Sequence, residues 1–212
     1  MRESTRFGRL AAEFAVIVVG VFIAVGAESW WSEREERRYE RELREDMVTE
    51  FQANLRIVEA DLAANDTAHA RAVGFASQDD RELQSAPSDQ ITAEIGSWAN
   101  WAGFDPEMGS AQALVESGNI GAISDRKLRL LLSRWAGLLE EKRRFNLQAV
   151  EFQQREVYPV IAKASADEVW SPEERREVRA LLRVFVVLQA SVIRNQGALR
   201  EAAREILDYL GE

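Results

Sequence analysis

Residues 14–27 read FAVIVVGVFIAVGA, fourteen positions without a charge. As a helix this run covers about 21 Å, short of the ~30 Å hydrocarbon core of a bilayer. Extended to 10–31, the helix reaches about 33 Å and spans. The extension sets Glu13 and Glu28 near the two interfaces and puts Trp30 and Trp31 at a boundary, where amphipathic indoles are favoured. Three readings compete. A buried soluble helix accommodates fourteen apolar residues, but this run is apolar on every face. A cleaved signal peptide suits the length, and Val25-Gly26-Ala27 resembles a cleavage site. Against it, Glu13 abuts the apolar core and the helical pattern continues past Ala27 without a break. The expectation is a transmembrane helix over 10–31, preceded by a flank over 1–9 bearing Arg2, Arg6 and Arg9.

One face of that helix carries small residues. At roughly 100° per residue, Glu13, Gly20, Ala24, Ala27 and Trp31 fall within about 40° of one direction. Gly20 and Ala24 make a small-xxx-small pair, which lets two helix backbones approach closely in lipid. The five residues are the expected association face of a homo-oligomer. The plainer alternative is that Glu13 reaches the interface and the small residues coincide by chance.

Beyond Trp31 no Pro or Gly occurs until Gly74. Tyr39, Leu43, Met47, Phe51, Leu55, Val58 and Leu62 recur every three or four residues, an amphipathic stripe expected to continue the transmembrane helix as one long rod. Ser77 to Gln90 reads as a loop, and a short helix carrying Trp98 and Trp101 follows. Ser117-Gly118-Asn119 reads as a glycine-terminated helix end. Ser124-Asp125 caps a leucine-rich helix containing Trp135, which Pro159 kinks or ends. Ser171-Pro172-Glu173-Glu174 combines an N-cap serine, proline at the first helical position and a glutamate to close a capping box. The expected fold is all-α: one N-terminal transmembrane helix continuing into an antiparallel helical bundle over 32–212, with three long helices.

Glu13, the aliphatic run to Gly20, Ala24, Trp30 and the acid-rich helix after it together resemble a bacterial family of small single-span membrane proteins of unknown function. Its members open with a Glu-led apolar helix ending near a Trp. A second stretch, Leu114 to Leu139, matches through Glu116-Ser117-Gly118, Ile120, Ile123 and the leucines beyond. Where members carry Asn or Gln just before the Trp, this chain has Gly26-Ala27-Glu28-Ser29. The resemblance implies an anchor and a helical domain and supplies no activity.

Composition narrows the functional classes. Charged residues make up 30% of the chain, too many for a multi-span protein, and the net charge of -9 disfavours nucleic acid as a partner. Cysteine is absent, so no disulfide or thiolate metal site exists. The single histidine, His69, sits among scattered acids without metal-ligand spacing, and no serine lies in a nucleophile elbow. No enzyme activity, cofactor or metal is therefore expected. Trp98, Trp101 and Trp135 are expected to pack in the bundle; the alternative is that they line a ligand pocket between helices. Two functions remain: an interaction or scaffolding module that self-associates or docks a protein partner at the bilayer, or a membrane-tethered sensor of a small ligand. Arg34, Arg37, Arg38, Arg41 and Arg44 follow the span, and by count alone would hold that side in the cytoplasm. They are outnumbered by acids and belong to a long domain, so the expected placement is the bacterial inner membrane with the domain in the periplasm.

Overall fold

The computed structural model describes residues 4–98, 105–107, 109–164 and 169–211; of the side chains at 4–19, 21 and a few other helical positions nothing is said. The described residues are almost entirely helical and contain no strand. Helix α1 covers Ser4–Ala76, α2 Asp80–Ser85, α3 Ser88–Trp98, α4 Ser110–Glu116, α5 Arg126–Phe152, α6 Tyr158–Ala164 and α7 Pro172–Gly211. The chain divides into two units, Met1–Asp46 and Met47–Glu212.

The first unit is the N-terminal part of α1. Every described side chain from Phe22 to Glu35 is exposed, on all faces of the helix. Among the described residues no helix is long and apolar enough to cross a membrane. The side chains at 14–19, the first part of the apolar run, lie outside those residues.

The second unit is a helical bundle. Its α1 segment buries Met47, Phe51 and Val58, so the stripe read from the sequence becomes a core face at Met47, whereas Tyr39 is exposed. Helix α7 runs antiparallel to α1, as the pairs Glu59–Arg204, Asn65–Gln196 and His69–Gln189 require. It also runs antiparallel to α5, through Arg134–Glu205, Leu138–Asn195 and Phe152–Phe185. The excursion through α2, α3 and α4 separates α1 from α5, so their directions are not set by a tight hairpin. A core of Ala72, Phe75, Leu83, Ile91, Ile95, Val157, Trp170, Val178, Leu182 and Phe185 joins α1, α2, α3 and α7.

Local sequence explains the helix ends. Ser171 N donates to Glu174 Oε2 at 2.7 Å and Glu174 N to Ser171 Oγ at 3.4 Å, the reciprocal cap expected from Ser-Pro-Glu-Glu. Asp125 accepts from Lys127 N and Leu128 N to start α5. Gly118 adopts φ 72 after α4, a left-handed conformation that favours glycine. The stretch read as a loop before Ile91 is largely helical. Asp79 and Glu82 form a capping box that starts α2, and α3 begins at Ser88. Proline at 159 has no N–H for Arg155 O; the chain accommodates it through a π-helical turn, Gln153–Val157, and continues as α6.

Arg175, buried on α7, fastens the short helices. Its guanidinium donates to Trp170 O, Leu83 O, Ala86 O and Ser88 Oγ, so one cation satisfies carbonyls at the end of α2 and the entry to α7.

Candidate functional site

The expected association face lies on α1 in the first unit. Gly20 has open space where a Cβ would sit, and Ala24, Ala27 and Trp31 are exposed, with Trp31 at 67%. The Glu13 side chain lies outside the described residues. Around these small residues Phe22 is 74% exposed, Ile23 67% and Val25 55%. This stretch is apolar and uncovered.

Its C-terminal continuation is aromatic and charged. Trp30, Trp31, Arg34, Glu35, Arg38, Tyr39, Arg41 and Glu42 line an open furrow of about 880 Å³. The described lining all belongs to one helix. Arg34 lies over the Trp30 ring at 5.6 Å. Arg37 pairs with Glu33 at 3.4 Å and Arg38 with Glu42 at 2.8 Å, both in solvent. The Glu42 hydrogen bond raises the Arg38 pKa above its ordinary value.

Trp135 is buried at 2% exposure and meets Phe51 edge-on, with ring centroids 5.1 Å apart. It also forms one wall of a recess of about 260 Å³ with Val115, Glu116, Leu139 and Arg143. That volume falls below the roughly 300–1,000 Å³ usual for small-molecule pockets. The Trp98 side chain and all of Trp101 lie outside the described residues.

Inside the bundle several polar side chains pair with one another. His69 Nδ1 lies 3.3 Å from Gln189 Oε1, one turn from the buried Asn65–Gln196 hydrogen bond at 3.0 Å. No group of His, Asp or Glu among the described residues is arranged to hold a metal. Burial pushes the Asp61 carboxyl up and the Lys142 amine down, while each partly offsets the shift of the other.

Sequence reading missed a clamp made by Glu50 and Asn54. Both are buried, on α1 beside the stripe residues Met47, Phe51 and Val58. Asn54 Oδ1 accepts from Glu107 N at 2.8 Å and its Nδ2 donates to Glu107 O at 3.3 Å. Glu50 Oε2 accepts from Ala111 N at 2.9 Å, capping α4 from a distant helix. Gly109 permits this, because a Cβ there would overlap the Glu50 carboxylate. Gly109→Ala is therefore expected to displace Glu50 and destabilise the bundle by about 1–3 kcal/mol. In a denaturation cycle with Glu50→Ala the two losses should be less than additive. Additive losses would contradict the clamp.

The fold and these surfaces define a class: an all-α bundle whose first helix bears an uncovered apolar segment and an arginine-rich, aromatic continuation. Comparison with family models, with curated proteins and with solved structures gives no match.

Proposed function

We propose that the chain is a single-span protein of the bacterial inner membrane. Residues 10–31 lie in the bilayer, and the domain over 32–212 acts in the periplasm as an interaction or scaffolding module. It self-associates or docks a protein partner, and it is of the single-span family that the Glu13-to-Trp30 pattern resembles. The observation carrying this reading is the exposure of Phe22, Ile23 and Val25 on a helix with no polar face between Phe14 and Ala27. Leaving such side chains in water forgoes about 1.5–3 kcal/mol each. Lipid removes that cost without a protein partner.

Self-association through Glu13, Gly20, Ala24, Ala27 and Trp31 is testable in membranes. Cross-linking is expected to trap a dimer of the wild type and much less of Gly20→Leu, because the added side chain fills the space for a second backbone. Unchanged cross-linking would exclude this face.

A further inference from the structure

The arginines after the apolar run are segregated around the helix. At roughly 100° per residue, Arg34, Arg37, Arg38, Arg41 and Arg44 occupy an arc of about 120° that includes Trp30. Of the described acids from Glu33 to Asp46, only Glu45 shares the arc; Glu33, Glu35, Glu40, Glu42 and Asp46 lie outside it. Arg34, Arg37, Arg38 and Arg41 are exposed, whereas Arg44 is half-buried and engaged. A chain of net charge -9 thus concentrates four accessible guanidinium groups on one face.

We propose that this face binds the phosphate groups of anionic phospholipids. The inference rests on the anchored reading above and adds the lipid class. Three observations select lipid as the occupant. Arg34 starts three residues after Trp31, so at about 1.5 Å per residue Arg34, Arg37 and Arg38 fall roughly 5–10 Å beyond the span, at headgroup depth. Trp30, under Arg34, supplies an indole of the kind that seats at that depth. Arg37 and Arg38 are held by exposed partners: Glu33 and Glu42, just outside the arc, make solvent-facing pairs of little strength. A phosphate accepts the planar guanidinium fork in two parallel bonds and displaces such a pair at small cost. The acids on the far side of the helix are attenuated by salt over a screening length of about 8 Å.

The test uses the full chain reconstituted in phosphatidylcholine vesicles with phosphatidylglycerol. Spin-labelled forms of the two lipids report their relative association with the protein. The wild type is expected to prefer phosphatidylglycerol by about fivefold or more, the effect of one arginine near a charged surface. Raised salt should weaken the preference. R34Q/R37Q/R38Q/R41Q, whose changes are all on exposed positions, should abolish it while helix content and melting stay unchanged. Equal association of both lipids with the wild type, or an unchanged preference in the variant, would overturn the proposal. So would displacement of the labelled lipid by soluble glycerol phosphate, which would make the occupant a free phosphate. A chain that fails to stay with the vesicles would defeat the anchor itself; one that stays without lipid preference defeats this inference alone.

Discussion

Replacing Trp135 by alanine is expected to cost the bundle about 3–5 kcal/mol, the range for deleting a large aromatic from a packed core. The indole is 2% exposed, and its edge-on contact with Phe51 joins α5 to α1. Leu128 and Leu132 on the same helix are buried with it, so the space left behind cannot refill without moving α5. Since whole-domain stabilities are about 5–15 kcal/mol, this one change removes a large share. Urea denaturation should show a lower midpoint with an unchanged slope, and Trp135→Phe should lose much less. A loss under about 1 kcal/mol for the alanine variant would mean that Trp135 does not anchor the core.

The second large effect concerns where the protein resides. Phe22→Arg combined with Ile23→Arg puts two charges close to the middle of the 10–31 segment. Each arginine at the centre of a membrane helix costs about 2.5–3.5 kcal/mol on insertion scales, so the pair opposes insertion by roughly 5–7 kcal/mol. The variant is expected to leave the membrane fraction for the soluble one or for aggregates. Both positions are already exposed, at 74% and 67%, so the bundle beyond Met47 should keep its helix content and melting profile. An unaltered distribution between fractions would show that these side chains do not sit in lipid.

The helices were readable where the determinants are local. Ser171 with Glu174, Asp125 and Gly118 each act within a few residues, and each stands in the structure as its chemistry dictates. Asp79 and Glu82 show the same local logic, yet their helix is six residues long, too short for an apolar period to mark it. The stripe from Tyr39 to Leu62 was legible as helical, but periodicity alone does not say where burial begins. Tyr39 has the right spacing and remains 57% exposed, whereas Met47 is fully buried.

The clamp and the polar centre of the bundle were not legible, for a different reason. Glu50 meets Ala111 and Asn54 meets Glu107 across 61 and 53 residues, and Arg175 meets Leu83 across 92. In sequence such residues look like solvated charges on a helix. Only tertiary packing turns them inward, where each must find partners for its hydrogen bonds. The arginine face of α1 was hidden in a subtler way. Arginines and acids alternate along 33–46, and their separation into arcs emerges only when the helix is wound.

The most direct test of the anchored reading is alkaline carbonate extraction of membranes from cells producing the full wild-type chain. Carbonate strips proteins held at the surface and leaves spanning helices in the bilayer. A single-span anchor over 10–31 predicts that the chain stays in the membrane pellet. Its quantitative release into the supernatant would contradict the account.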